Sequence, residues 1–276
     1  MSEGRCEDGS ARAMLAGGEG AIRVRRVSVR PVTTDARVAL LEHLVDHAPT
    51  FPPASLPPAD ALAEDARAQA SPHAFMLGRL VWPASRLGEL GGALRVLSVV
   101  ADAPVPDDTR IEAIEVPPGT SMDFRGGTPA VFLELSLDSA QLADDVAALG
   151  RLGLVGAKVR CGGAATPSVA QLAGFIRACR EYGVPFKATA GLHHAVRRGN
   201  EHGFLNLLAA AVFGDEEQAL ADEDDDSFGL DATSFRWRDR RAGPEELERA
   251  RAFLRSIGSC SFFEPVEELE GLRMLP

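Results

Sequence analysis

The chain has 276 residues, 45% apolar and 25% charged, a composition typical of a globular protein with a sizeable core. Its formal net charge of −11 argues against a nucleic-acid or anionic-membrane partner, because either would repel it. A small anionic substrate is not excluded, since it responds only to local charge. No apolar run reaches the roughly 18 residues that span a bilayer, so no membrane partner is expected.

The first twenty residues lack a basic start followed by an apolar stretch. We therefore expect residues 1–20 to be a disordered leader rather than a secretory signal. The four cysteines are widely scattered and have no zinc-site spacing, which predicts reduced thiols: Cys6, Cys161, Cys179 and Cys260. Together these features favour a cytoplasmic protein.

The first half of the chain combines one clear helical pattern with several apolar, strand-like runs. A Pro-rich surface connector with one short helix separates the helix from the later strands. The predicted elements are a strand at 21–32, a helix at 34–48, the connector at 49–72, and strands at 74–82, 94–100, 110–116 and 130–137.

The second half alternates strands and helices more regularly, with Ser, Thr, Pro and Gly at the expected helix ends. An acidic run at 215–231 predicts a solvated, mobile insertion. The other predicted elements are helices at 139–153, 166–183, 203–214, 243–256 and 264–275, strands at 155–161, 185–191 and 257–262, and a short hairpin at 232–239.

Alternating strands and helices imply βαβ units and a parallel sheet. About eight strand candidates favour a single (β/α)8 TIM-like barrel over residues 21–276, irregular in its first half, with the acidic insertion at about 215–231. An open doubly wound sheet is the alternative.

Of the 29 basic side chains, two are lysines, Lys158 and Lys187, and the rest are arginines. Lysine can lose its proton when it is desolvated, whereas arginine stays charged. In a chain whose other basic residues are all arginines, each lysine therefore suggests a position where a reactive amine is needed. Alternate residues of a strand face opposite sides. In the strands at 155–161 and 185–191, one face carries apolar residues. The other face carries Lys158 with Arg160 in the first strand and Lys187 with Thr189 and Gly191 in the second. Both lysines are therefore expected to point into the barrel near its C-terminal mouth, where active sites form.

The same alternation places Glu134 inward and, less distinctly, Glu115. Neighbouring parallel strands lie about 4.8 Å apart, so two inward ammonium groups would lower each other's pKa and favour a nucleophilic amine. The alternative is that each lysine simply pairs with a carboxylate of the barrel.

Three segments, "AKVRCGG", "FKATAGLHH" and "SIGSCS", resemble the last three strands of deoxyribose-phosphate aldolase and its class I aldolase relatives. That family carries a Lys-x-Ser-Thr-Gly strand, then a Lys-Ala-Ser-Gly-Gly-Ile-Arg strand, and a final strand ending in Ile-Gly-Thr-Ser. The resemblance covers roughly residues 150–262. It implies that Lys158 forms a Schiff base, that Lys187 tunes its pKa, and that Glu134 is the inward acid. The backbone around Gly191, Gly258 and Ser259 would hold a phosphate or carboxylate, and no cofactor is required.

The family has an arginine near the positions of His193 and His194. His193, His194 and His202 form no HxH or HxxxH pair among themselves, so no metal is expected there, and we assign His193 and His194 to substrate contact or proton transfer. A loop-end cap without chemistry is the alternative.

The sequence thus predicts a Schiff-base aldolase-type lyase for a small, anionic carbonyl substrate, with Arg160 and Thr189 contacting that substrate. One alternative is a lysine acid/base isomerase or epimerase, with or without a metal. Another is a barrel without catalytic activity. Assembly into a homo-oligomer is left open.

Overall fold

The computed structural model describes residues 34–120, 129–153, 155–163 and 166–275. The predicted leader at 1–20 and the predicted strand at 21–32 lie outside these residues. No helix in the described ranges is both long enough and apolar enough to cross a lipid bilayer.

Eight parallel strands close into a barrel, which confirms the (β/α)8 TIM-like prediction over the open sheet. In chain order, these strands are β1 (Val45–His47), β2 (Leu77–Pro83), β3 (Leu97–Val100), β4 (Ile111–Val116), β5 (Ala130–Glu134), β6 (Val155–Arg160), β7 (Phe186–Thr189) and β11 (Leu254–Ser259). Around the barrel they follow the order β1, β11, β7, β6, β5, β4, β3, β2. A separate antiparallel sheet contains β8 (Phe228–Leu230), β9 (Phe235–Trp237) and β10 (Arg240–Ala242).

Helices surround the second half of the barrel more completely than the first, as the sequence predicts. They are α1 (Ala36–Leu41), α2 (Pro58–Gln69), α3 (Leu142–Leu152), α4 (Val169–Glu181), α5 (Phe204–Phe213), α6 (Glu216–Ala221), α7 (Pro244–Phe253) and α8 (Phe263–Gly271). Between β2 and β3 the chain forms only a 3₁₀ helix, Ala84–Leu90.

The predicted helix at 34–48 is wrong in its second half. The helix α1 ends at Leu41, and His43 takes a positive φ of 51° that turns the chain into β1. Strand β1 then pairs with both β2 and β11, which closes the barrel. Strand β1 has only three residues, and an apolar pattern of that length fits a helix as well as a strand. Its pairing with β2 and β11 stabilises the extended form.

The acidic segment at 215–231 keeps many solvent-exposed side chains, but it also forms regular secondary structure. It forms α6, a 3₁₀ turn and β8, and several of its carboxylates are paired with arginines of neighbouring elements. These contacts are Arg240 to Asp215 at 2.6 Å, Arg180 to Glu216 at 3.2 Å, Arg238 to Asp222 at 2.9 Å and Arg198 to Asp225 at 2.7 Å.

The main core lies between the barrel and the helices of its second half. Phe186 of β7 packs edge-on against Phe175 of α4 at 5.5 Å and against Phe253 of α7 at 5.0 Å, as measured between ring centroids. The helix α4 begins with a capping box formed by Ser168 and Gln171, two residues after the predicted start of this helix at 166. Such edge-to-face contacts add to the burial of each ring and fix the helices relative to the strands.

We predict that Gly156→Ala destabilises the fold by about 1–3 kcal/mol through overpacking inside the barrel. A Cβ at Gly156 would lie 2.8 Å from the ring of Phe132 and 2.8 Å from the carbonyl oxygen of Pro185. The control is Gly174→Ala in α4, where a Cβ meets nothing within 4 Å, and where alanine should stabilise by about 0.5–1 kcal/mol. Urea unfolding measures both, and equal effects of the same sign would contradict the packing argument.

Candidate active site

Lys158 and Lys187 lie side by side inside the barrel, as the alternation of strand faces predicts. They are register partners on β6 and β7, and their side chains are almost completely buried. Neighbouring positions on adjacent parallel strands bring their side chains into one space. The sequence therefore located the two amines correctly.

Lys187 is held by two carboxylates. Its Nζ lies 2.6 Å from Oδ2 of Asp46 and 2.5 Å from Oε1 of Glu115. Asp46 also accepts hydrogen bonds from Oγ of Ser256 at 2.8 Å and from the backbone amide of Arg79 at 2.7 Å. Burial alone would lower the pKa of Lys187, but the charges and hydrogen bonds of the two carboxylates outweigh it and raise that pKa.

Lys158 shares one of these carboxylates. Its Nζ lies 2.8 Å from Oε2 of Glu115 and 3.0 Å from Oε2 of Glu134. Glu115 thus bridges the two ammonium groups, and its Oε1 also accepts a hydrogen bond from Oγ of Ser98 at 2.8 Å. Burial would raise the pKa of Glu115, but Lys187 and Lys158 hold it well below its ordinary value of 4.5.

The expected mutual lowering of the two lysine pKa values is wrong for Lys187, whose pKa is raised. The physical reason is that Asp46, Glu115 and Glu134 supply three carboxylates to two ammonium groups. Each amine therefore faces more negative than positive charge. Its raised pKa favours the charged form of Lys187, and that charge in turn lowers the pKa of Glu115.

A cavity of about 260 Å³ opens above this cluster at the C-terminal ends of the strands. Of the two lysines, Lys158 lines the cavity, whereas Lys187 is fully buried. A ligand in this space therefore meets a single amine. The lining also includes Phe51, Pro52, Glu115, Pro117, Glu134, Arg160, Thr189, Ala190, Gly258 and Cys260.

Arg160 reaches the edge of the cavity from the end of β6. It also lines a neighbouring cavity of about 230 Å³ next to the β5–α3 connection. Within the described ranges, no carboxylate lies within ion-pairing distance of its guanidinium. A guanidinium with open hydrogen-bonding capacity binds carboxylates and phosphates in a bidentate manner.

The glycines singled out from the sequence shape the ends of β7 and β11. Ala190 and Gly191 both adopt positive φ, 63° and 67°, and a Cβ on Gly191 would come within 2.7 Å of Cα of Gly162. A Cβ on Gly258 would lie 3.0 Å from Cγ2 of Thr189. Gly258 and Thr189 line the cavity, but Gly191 and the buried Ser259 are not among its lining residues.

His193 and His194 are not brought to the lysines. They line a separate surface pocket of about 520 Å³ beside α8. His193 Nδ1 lies 2.6 Å from Oε2 of Glu264, and His194 Nε2 lies 3.0 Å from Oε2 of Glu201. The positive φ angles of the residues before them turn the chain away from the lysine cluster.

The cysteines follow the expectation of unpaired thiols wherever they are described: Cys161, Cys179 and Cys260 are free and buried. Burial raises the pKa of the Cys161 thiol to about 12, so this thiol stays protonated at neutral pH. A nucleophilic role for Cys161 is therefore not supported.

Asp46 is the cluster residue that sequence reasoning missed. It lies in the part of the chain predicted as helix, and its neighbours Leu44 and Val45 fit either structure. The sequence feature that could have indicated Asp46 is its position as an acidic residue inside an apolar run, just before the Pro-rich connector. Ser98 and Ser256, which also contact the carboxylates, carry no signal of their own.

No protein-family model, no curated protein and no solved structure matches this chain. The resemblance to class I aldolases therefore stays a prediction, and the chemistry of the site is inferred from its own geometry.

We predict that Lys187→Met destabilises the protein by about 3–5 kcal/mol, because it leaves Asp46 and Glu115 buried without their shared cation. Adding Glu115→Gln should recover part of the loss, so the two changes together cost less than their sum. Urea unfolding at neutral pH measures the cycle. Strictly additive losses would show that the ion pair does not couple these residues.

The pH dependence of unfolding tests the same cluster. The lowered pKa of Glu115 contributes stability that is present above its ordinary value of 4.5 and is lost as pH falls. The raised pKa of Lys187 contributes stability that is present below its ordinary value of 10.5 and is lost as pH rises. The urea midpoint should be highest between these values, and the double variant should show a flatter profile.

Proposed function

We propose that the protein is a Schiff-base lyase of the aldolase type, acting on a small carbonyl compound with an anionic group. The observation that supports this proposal is the position of Lys158. Its amine lines the cavity and lies within 3.0 Å of two carboxylates. A nucleophilic amine needs a nearby base that can take its proton, and Glu134, which also lines the cavity, is that base.

The covalent step balances with these two side chains. The Lys158 ammonium gives one proton to the Glu134 carboxylate, and the neutral amine adds to the substrate carbonyl to form a carbinolamine. Glu134 then returns its proton to the carbinolamine hydroxyl, which leaves as water. The product is a protonated iminium on Lys158 and an ionised Glu134, so the total charge is unchanged.

The cluster suits an iminium as well as an ammonium. Glu115 lies within ion-pairing distance of both lysine amines. A positive iminium on Lys158 would carry the same charge as the ammonium that it replaces, so its attraction to Glu115 would remain. The ionised Glu134 then takes the proton of the substrate hydroxyl group next to the breaking C–C bond. The electron pair of that bond passes to the iminium, which becomes a neutral enamine, and the other fragment leaves as a carbonyl compound. Lys187 stays protonated throughout and acts as a positioning residue that holds Glu115 ionised below the reacting amine.

Arg160 gives the site its preference for an anion. Its guanidinium lines the same cavity as Lys158 and has no ion-pair partner among the described residues. A carboxylate or phosphate bound there would direct the carbonyl carbon towards the amine. Thr189 of β7 and Gly258 of β11 also line this cavity.

A second candidate is an isomerase or epimerase without a covalent step. It is favoured by the direct ion pair between Lys158 and Glu134 at 3.0 Å, which is a ready acid/base pair. This candidate predicts exchange of a substrate proton with solvent but no covalent adduct. Reductive trapping therefore separates the two.

We predict that borohydride with small aldehydes, ketones and 2-keto acids, offered with and without a phosphate, leaves an irreversible adduct on Lys158. The chain has only two lysines, so intact mass and peptide mapping assign the amine directly. Lys158→Arg should abolish the adduct, and Glu134→Gln should slow its formation. An adduct on Lys187, or an undiminished adduct in Lys158→Arg, would contradict the assignment.

We also predict that Arg160→Gln raises the KM for an anionic carbonyl substrate by about 10-fold to 100-fold. This is the expected effect of losing the charged hydrogen bonds between the guanidinium and the anionic group. The rate of trapping with a neutral aldehyde should not change. Arg177→Gln is the matched control, because Arg177 is a half-exposed arginine of α4 paired with Glu217 on the surface. Equal effects on charged and neutral carbonyls would remove Arg160 from substrate binding.

A further inference from the structure

We propose that His193, Cys260 and Glu264 bind one Zn²⁺ ion at the rim of the barrel cavity. One ligand atom from each residue, a ring nitrogen, the sulfur and a carboxylate oxygen, lies within 4.8 Å of the other two. Ligand atoms around one zinc ion lie at this kind of separation, since each bond is about 2.0–2.3 Å long. This site uses neither lysine and is independent of the Schiff-base proposal.

The three ligands come from different elements that meet at the mouth of the barrel. His193 lies in the loop after β7, Cys260 directly follows β11, and Glu264 lies in the first turn of α8. Sequence spacing could not show this grouping, because about seventy residues separate the histidine from the other two. The expectation of no metal rested on sequence spacing among the histidines and among the cysteines.

The neighbouring hydrogen bonds hold the ligand loops in place. Oε2 of Glu268 accepts from the backbone amide of Ala195 at 2.9 Å, which ties the histidine loop to α8. Oγ of Ser261 accepts from the amides of Phe263 and Glu264, at 3.2 Å and 3.4 Å, which fixes the turn between Cys260 and α8. Such surrounding contacts orient metal ligands and strengthen binding.

The donor set selects the class of metal. A thiolate, an imidazole and a carboxylate together favour a borderline cation such as Zn²⁺ over Mg²⁺ or Ca²⁺, which prefer oxygen ligands. Binding converts the Cys260 thiol to a thiolate and releases its proton to solvent. Three protein ligands leave a fourth position for water or an oxygen of a bound molecule, as in catalytic zinc sites.

The electrostatic surroundings favour a cation. Four carboxylates line the surface pocket beside His193: Asp225, Glu264, Glu267 and Glu268. Arg198 also lines this pocket. Cys260, on the other side, lines the cavity that contains Lys158. A zinc ion held by this thiolate would therefore lie at the border between the acidic pocket and the cavity. Its open position could accept an oxyanion of a molecule bound there.

Isothermal titration of the full chain with Zn²⁺ alone tests the site. We expect one ion per chain, and we expect Cys260→Ser, His193→Gln and Glu264→Gln each to weaken binding at least about tenfold. Glu264 is half-exposed, so its variant should fold normally even if the Cys260 variant does not. Co²⁺ bound in place of Zn²⁺ should show the near-ultraviolet absorption of a cobalt–thiolate bond, which Cys260→Ser should abolish.

The matched controls are His194→Gln and Glu267→Gln, which change residues of the same pocket outside the three ligands. Both should leave stoichiometry and affinity unchanged. The proposal is overturned if the wild type does not bind Zn²⁺, if the cobalt–thiolate absorption is absent, or if the control variants weaken binding as much as the ligand variants.

Discussion

The carboxylate of Glu115 is the constraint on which the interior of this barrel depends. It lies between two ammonium groups, 2.5 Å from Nζ of Lys187 and 2.8 Å from Nζ of Lys158. Without it, two positive charges would share a closed space on adjacent strands, and burial would drive protons from them. With it, and with Asp46 and Glu134, each ammonium group in the interior lies within ion-pairing distance of two carboxylates.

Buried ion pairs are expensive, because desolvation offsets much of the attraction between the charges. A barrel interior filled with apolar layers would be at least as stable, and most barrels have one. This protein instead uses positions on β1, β4, β5, β6 and β7 for charged side chains. This cost has an explanation under the proposed function, in which Lys158 reacts with the substrate and the buried Lys187 compensates the negative charge of Asp46 and Glu115.

The barrel and most of this cluster were predictable from the sequence. Side chains alternate between the two faces of a strand, and over five or six residues this alternation indicates clearly which residues point inward. Lys158, Lys187 and Glu134 were placed inward on that basis alone. Asp46 was not, because β1 has only three residues and its apolar neighbours also fit a helix. His193 and His194 lie shortly after Ala190 and Gly191, which both have positive φ, and no periodicity predicts where such a turn directs the chain.

The barrel order sets how the proposed amine site and the proposed metal site are arranged at one mouth. Lys158 and Arg160 belong to β6, whereas Cys260 follows β11, and β7 separates these strands. A molecule in the cavity therefore has the amine and the guanidinium on one side and the thiol on another. An anion near the thiol would meet acidic α8 side chains, unless a cation lay between them. The amine chemistry and the metal site would then act on opposite ends of the same ligand.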